Sequence, residues 1–286
     1  MDISIINIPK ISAIYFALLQ SGYDFYAVEK DDDLVQSLER FQFKHGIFDS
    51  SFFSKTKQNT CEVYPYWPRA ALLETATFFI DSNSRFVNFD AYHFKVMNAG
   101  NISDEERNVT FWQWLREFPS ALGKVLSNQD FQSYLVWENE WIEQQKRLLE
   151  NDLLDLQKVL STCSNRFGSP IEKVTLVLNP IKCAYSADYH ITENQLLFCF
   201  GRFQKEAVIH EFLHPIVHPF IGEYKDIILQ HGGNFPDIDP SYYLRGNELG
   251  RLNAFEEHLV RKLTALAVAE NLPLEIGKFI KEILAN

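Results

Sequence analysis

Length, composition and charge already exclude several classes of protein. The chain has 286 residues, of which 46% are apolar, enough for one large domain or two modest ones with a full core. Its 27 Lys and Arg residues against 38 Asp and Glu residues give a formal charge of −11, the wrong sign for binding nucleic-acid phosphates or anionic lipid.

Four scattered cysteines without a C-x-x-C pair indicate free thiols. The N-terminal segment lacks the basic flank of a signal peptide, and no long apolar run predicts a membrane span. We therefore expect a cytoplasmic protein with no nucleic-acid or membrane partner; its oligomeric state stays open.

The first part of the chain is predicted to be mostly helical, since its apolar residues recur at intervals of three and four. Candidate helices run over 11–20, 32–44 and 69–80, and one long helix is expected from about 130 to 164. A polar break containing Gly and Pro follows at 164–170. We therefore expect a helical N-terminal region, 1–165, and a second region, 166–286.

The second region combines strand and helix signals. Residues rich in β-branched and apolar side chains predict strands at 174–180 and 194–203, with a hairpin connection or a third strand between them. Helical periodicity then returns over the segments 204–214, 222–230, 249–270 and 274–284. A small sheet accompanied by helices predicts an α+β fold.

His210, Glu211 and His214 form an H-E-x-x-H motif on the first of these helices. Residues four apart lie one turn apart on one face, so both imidazoles can bind one ion at about 2.0–2.1 Å. Glu211 lies beside such an ion, where its carboxylate can act as a general base. The surrounding residues are apolar, and burying two imidazoles and a carboxylate without a partner is costly. The motif therefore predicts a catalytic zinc site.

A catalytic zinc needs a third protein ligand, for which the sequence offers three candidates. His218 lies one further turn along the helix, too far to share an ion with the motif's first histidine unless Pro215 bends or ends the helix. Glu256 and Glu257 lie on a later helix, and only one can face the metal, because neighbouring residues on a helix point about 100° apart. The face that carries Glu256 is the more apolar, so the pattern alone leans towards Glu256 without deciding.

The motif HEFLHP, followed further along the chain by EHLVR, resembles the gluzincin branch of zinc metallopeptidases. More narrowly, it resembles an uncharacterised bacterial family, domain of unknown function family 4932. In that family's pattern the ligand glutamate stands directly before x-L-V-R, which corresponds to Glu257 and favours it over Glu256. The resemblance implies a zincin-like catalytic region, with a small sheet, an active-site helix and a ligand helix. It also implies one Zn²⁺ ion held by His210, His214 and Glu257, with Arg261 able to pair with Glu257 or with a substrate carboxylate.

Hydrolysis of an amide also needs a donor for the charge that develops on the carbonyl oxygen. Tyr242 and Tyr243 lie in the loop before the ligand helix, and gluzincins often take a tyrosine or histidine from such a position. His231 and His258 are weaker candidates for this role. His190 is a candidate only because it lies near the strand expected to run beside the substrate.

These observations predict a zinc metallopeptidase that cleaves peptide or protein substrates by zinc-activated water, with Glu211 as general base. A hydrolase of another amide would use the same metal ligands and stays open. A helical interaction or regulatory module with a structural or inactive zinc site also stays open, although such a site has no use for Glu211.

Overall fold

A computed structural model describes residues 1–21, 32–41, 51–54, 69–97, 109–182, 187–192, 194–231, 234–240 and 247–285. In these ranges no helix is both long and apolar enough to cross a membrane. In chain order, the secondary-structure elements are β1 (Asp2–Ile5), α1 (Pro9–Gln20), α2 (Asp32–Glu39), α3 (Ser51–Ser54), α4 (Arg69–Thr77), α5 (Phe89–Met97), α6 (Val109–Leu115), α7 (Phe118–Leu126), α8 (Gln129–Leu148), α9 (Glu150–Phe167), β2 (Lys173–Leu178), β3 (Ala187–Thr192), β4 (Gln195–Phe200), α10 (Lys205–Glu223), α11 (Lys225–Gln230), α12 (Asn247–Val268) and α13 (Ile276–Ala285).

The four strands form one sheet in the order β1-β2-β4-β3. β1, β2 and β4 run parallel, and β3 joins β4 as an antiparallel edge strand, with Tyr189 opposite Phe198. The predicted α+β class is therefore confirmed, and the segment between the two predicted strands forms a third strand. β1 is not predicted from the sequence, because the four residues DISI are too few to establish an alternation.

Helices cover both faces of the sheet, because successive side chains of a strand point to opposite sides. One face packs Leu176 and Phe198 into a core with α9, α10 and α12. The other face packs Val177 and Leu197 into a core with α1, α4 and α7. The first 165 residues thus supply the strand β1 and packing partners for both faces of the sheet.

Several helix boundaries differ from the prediction: α2 ends at Glu39 and α4 at Thr77, before the expected ends at 44 and 80, and two further differences concern longer helices. The long helix expected from about 130 to 164 is divided, since α8 ends and α9 begins on either side of Leu149, whose backbone (φ −94°, ψ 4°) leaves the helical region. No Gly or Pro marks this break, so periodicity alone cannot reveal it. In contrast, α10 continues through Pro215 and Pro219, and the expectation that Pro215 could end this helix is wrong. Burial of the apolar residues that follow, Ile216 and Val217 among them, offsets the hydrogen bond lost at each proline.

A buried ionic cluster joins α1 and α4 to the sheet. The Lys182 ammonium donates to Glu74 at 2.9 Å and to the Tyr15 hydroxyl oxygen at 2.7 Å, and it also pairs with Asp188. His190 Nε2 lies 3.3 Å from the second carboxylate oxygen of Glu74. Burial raises the pKa of Glu74, but Lys182 and His190 outweigh burial and lower that pKa to about 2. His190 is therefore part of this core cluster, with its ring buried.

Glu138, on α8, is a second fully buried carboxyl group. Its oxygens accept hydrogen bonds from Asn7 (2.6 Å), Tyr134 (2.9 Å) and Asn179 (3.0 Å). Burial outweighs these hydrogen bonds and raises the pKa of Glu138 to about 7. The protonated carboxyl is thus favoured in the fold well above the pH at which it titrates in an unfolded chain.

The replacement Glu138→Gln is expected to change how stability depends on pH. Because the folded pKa of about 7 exceeds the ordinary value of 4.5, the stability that Glu138 contributes is fully present below pH 4.5 and is lost as the pH rises through 7. The free energy of unfolding of the variant minus that of wild type should therefore rise by about 2–3 kcal/mol as the pH is raised from 5 to 8. Urea denaturation at several pH values measures this gain. Glu140→Gln, an exposed neighbour on α8, is the control. A pH-independent difference between wild type and Glu138→Gln would contradict the assignment.

Candidate metal site

Packing of α10 against α12 creates the candidate site. The H-E-x-x-H motif lies in the N-terminal half of α10, where the adjacent apolar side chains of Ile209, Phe212 and Leu213 are fully buried in the core. His210 and His214 occupy another face of the same helix, four residues and one turn apart. Apolar burial thus fixes the rotation of α10 and leaves both imidazoles directed towards α12.

Three side-chain atoms from these two helices come together in a small triangle. His210 Nε2 and His214 Nε2 are 3.2 Å apart, and Glu257 Oε2 lies 3.5 Å from the first and 3.6 Å from the second. Ligand atoms on one tetrahedral zinc ion are about 3.3 Å apart. A circle through the three atoms has a radius of about 2.0 Å, so an ion at the usual zinc distances of about 2.0–2.1 Å reaches all three. The three side chains are 12–19% exposed, which leaves the cluster open to solvent on one side.

Glu211 supports the same interpretation. Its Oε2 atom is buried and has no hydrogen-bond partner within the described ranges. Burial raises the pKa of Glu211, although the neighbouring His214 and His210 act in the opposite direction. A buried carboxylate oxygen without a donor is costly, and a water molecule on a metal ion beside it would supply that donor. The donor set of two imidazoles and one carboxylate, with Glu211 beside it, therefore fits zinc.

The two neighbouring glutamates of α12 contact different imidazole nitrogens. Glu257 reaches the Nε2 atoms of His210 and His214, whereas Glu256 is hydrogen-bonded to two Nδ1 atoms, those of His214 and His218, each at 3.0 Å. His218 therefore pairs with Glu256 and is not a member of the three-atom cluster. The structure groups Glu257, and not Glu256, with the Nε2 atoms of the two histidines, whereas the apolar pattern of α12 leaned towards Glu256 without deciding.

The carboxylates and imidazoles of the site shift one another's pKa values. Burial lowers the pKa of His214, but hydrogen bonds with Glu256 and Glu257 outweigh burial and raise that pKa to about 10. Burial raises the pKa of Glu257, but His210 and His214 outweigh it, and the pKa of Glu257 lies well below its ordinary value. The pKa of Glu256 is lowered in the same way, against the effect of burial, by His214 and His218. The site thus favours a positive charge at the position where a metal ion would bind.

Arg261 holds the second oxygen of the Glu257 carboxylate. Its Nε donates to Glu257 Oε1 at 2.8 Å, and its Nη1 donates to the backbone carbonyl of Asp237. Arg261 therefore pairs with Glu257, one of the two partners expected for it. This contact orients Glu257 so that its other oxygen, Oε2, faces the two imidazoles.

The remaining predicted site residues are distributed around this centre. His258 pairs through Nδ1 with Asp237, and the rings of His258 and His231 both stack on Phe235. His258, on α12, therefore holds the 234–240 segment against that helix. Tyr242 and Tyr243, predicted to stabilise the developing charge, lie outside the described residues.

Tyr189, on the edge strand β3, is a neighbour of the site that the sequence analysis missed. Its ring is parallel to the His214 ring (interplanar angle 4°, centroids 6.3 Å apart), and the residue is 43% exposed. Alternation along β3 places Tyr189 on the opposite face from Asp188 and His190. The sequence shows this alternation but does not show which face meets α10.

Comparison of the chain with protein-family models, with curated proteins and with solved structures finds no match. The resemblance to gluzincins therefore depends on the two motifs HEFLHP and EHLVR alone. Assignment of a function depends on the chain's own residues and their geometry.

Proposed function

We propose that the protein is a zinc-dependent hydrolase, and specifically a metallopeptidase with a zincin-like catalytic region. The observation that carries the proposal is the triangle of His210 Nε2, His214 Nε2 and Glu257 Oε2, with sides of 3.2, 3.5 and 3.6 Å, beside the unpartnered carboxylate oxygen of Glu211. The triangle has the dimensions of a zinc site with three protein ligands, which is the usual number in catalytic centres.

His210, His214 and Glu257 would hold the ion, and Glu256 and Arg261 would hold two of these ligands in place. Two imidazoles and one carboxylate favour zinc over magnesium or calcium, which bind in cages of oxygen ligands. Zinc, when bound, supplies Lewis acidity that lowers the pKa of water and polarises a carbonyl oxygen.

Glu211 moves the proton in the proposed reaction. Its carboxylate takes a proton from the attacking water as the water oxygen bonds to the carbonyl carbon. The same group then donates the proton to the leaving nitrogen as the C–N bond breaks, so the amine leaves neutral and Glu211 returns to its ionised form. A structural zinc site needs no such group, and this distinguishes the proposal from a purely structural role.

The edge strand β3 supports a peptide as the substrate. It is the terminal strand of the described sheet, and extended peptides commonly bind by adding a strand at such a position. Tyr189, on this strand, faces His214 of the site. An extended peptide added along β3 would therefore pass beside the proposed metal ligands.

Removal of zinc is expected to abolish peptide cleavage. Purified protein should digest a broad peptide library, lose this activity with 1,10-phenanthroline and regain it when zinc is restored. The isomer 1,7-phenanthroline, which does not chelate, serves as the control. Mass spectrometry of the products measures cleavage. Zinc-loaded protein that leaves peptides and other amides intact would contradict the proposal and favour a structural or inactive site.

A further inference from the structure

Glu256 connects two histidines of α10 through both of its carboxylate oxygens. Its Oε1 lies 3.0 Å from His214 Nδ1, and its Oε2 lies 3.0 Å from His218 Nδ1. His214 and His218 are four residues apart, and α10 continues as a helix through Pro215 between them. One carboxylate on α12 therefore spans one turn of α10.

An ionised carboxylate can only accept hydrogen bonds, so both Nδ1 atoms must carry the protons. The Nε2 of His214 is then the ring atom directed at His210 Nε2 and Glu257 Oε2, at 3.2 and 3.6 Å. Since a metal ligand must offer a lone pair, the contact with Glu256 reserves Nδ1 for its own proton and leaves Nε2 as the ring atom that would exchange its proton for an ion.

His218 is held by Glu256 although most of its ring faces solvent. Its side chain is 76% exposed, whereas the Glu256 side chain is 13% exposed. Fixing an exposed imidazole costs side-chain entropy, so the contact gives His218 itself little stability. Its main effect is on the orientation of Glu256. By occupying Oε2, His218 fixes the plane of the Glu256 carboxylate and leaves Oε1 directed at His214.

We propose that Glu256 is a positioning residue that sets the metal affinity of the site, and that His218 acts through Glu256 and not as a ligand. This inference rests on the proposed function, because it presumes that His210, His214 and Glu257 bind zinc. This role accounts for His218, the third evenly spaced histidine of the HEFLHPIVH segment, because a centre with three other ligands does not need this histidine as a ligand.

The test measures zinc affinity by competition with a chromophoric chelator. Glu256→Gln keeps the shape of the side chain, but its single carbonyl oxygen can accept a hydrogen bond from only one imidazole. Its amide N–H groups, which are donors, then face the Nδ1–H donor of the other imidazole. We expect Glu256→Gln and Glu256→Ala each to weaken zinc binding about 10–100-fold. His218→Leu should weaken it measurably but less, by about 3–10-fold, and His218→Asn, whose amide N–H can replace the Nδ1 donor, should bind nearly as wild type. Glu223→Gln, at the exposed end of α10, is the matched control and should bind as wild type.

A spectroscopic measurement separates positioning from general destabilisation. Absorption of the cobalt-substituted protein reports the geometry of the metal ligands. The spectrum should change in Glu256→Gln and stay as in wild type in Glu223→Gln. The spectrum of His218→Asn should lie closer to that of wild type than the spectrum of His218→Leu does. If Glu256→Ala does not fold, the isosteric Glu256→Gln decides the result alone.

The outcomes distinguish this inference from the proposed function. Wild-type zinc affinity and an unchanged cobalt spectrum in both Glu256 variants would overturn the positioning role. Weak binding in the Glu256 variants together with wild-type binding in His218→Leu would overturn the role of His218. Wild-type protein that binds no zinc at all would instead contradict the proposed function itself.

Discussion

Replacement of Glu211 by glutamine is expected to lower kcat for peptide cleavage about 10²–10⁴-fold and to leave zinc affinity unchanged. The amide has nearly the same shape as the carboxylate but cannot take a proton from water at neutral pH. Zinc should stay bound because Glu211 is not one of the three clustered side chains that are proposed to hold it. Steady-state kinetics on a cleaved peptide and a zinc titration of the same preparation measure both quantities.

Glu206→Gln, at an exposed glutamate in the first turn of α10, is the control for the loss of one negative charge near the site. It should retain wild-type kcat. If Glu211→Gln kept activity within tenfold of wild type, Glu211 would not be the general base. If it lost zinc together with activity, Glu211 would be acting on the metal and not on the proton.

Replacement of Glu257 by alanine is expected to weaken zinc binding more than 100-fold, beyond the about 10–100-fold typical of residues that only orient a ligand. The substitution removes the carboxylate oxygen that lies 3.5 and 3.6 Å from the two Nε2 atoms. It also leaves the positive charge of Arg261 without its carboxylate partner, close to the proposed metal position. Competition titration with a chelator measures the affinity.

Glu248→Ala, an exposed glutamate on the same helix, controls for the loss of a carboxylate from α12. Comparison of the zinc affinities of Glu257→Ala and Glu256→Ala shows which of the two neighbouring glutamates contributes more to zinc binding. Wild-type zinc affinity in Glu257→Ala, with a loss of more than 100-fold in Glu256→Ala, would exchange the roles assigned to the two residues.

Local patterns in the sequence predict much of the fold. The β-branched run at β2, the apolar run at β4 and the periodicity of α1, α12 and α13 each lie within one element, so a short window contains the signal. The break at Leu149 and the continuation of α10 through Pro215 depend on what each helix packs against. The strand β1 depends on hydrogen bonds to β2, far along the chain. Non-local contacts of this kind cannot be inferred from a local pattern.

The same distinction applies to the site. His210, Glu211 and His214 are related by helical geometry alone, so their grouping follows from their spacing. The choice between Glu256 and Glu257 depends on the rotation of α12 about its own axis as it packs on α10, and one residue corresponds to about 100° of that rotation. The apolar stripe of α12 indicates that the helix packs, but both glutamates lie at its edge and contact the same histidine from different sides.

The zinc content of the purified protein tests the central claim most directly. Protein prepared without chelators should contain one zinc ion per chain by elemental analysis, and His214→Ala, which removes a ligand and the partner of Glu256, should contain none. Wild-type protein without a stoichiometric transition metal, or equal zinc content in wild type and His214→Ala, would contradict a metal centre at His210, His214 and Glu257.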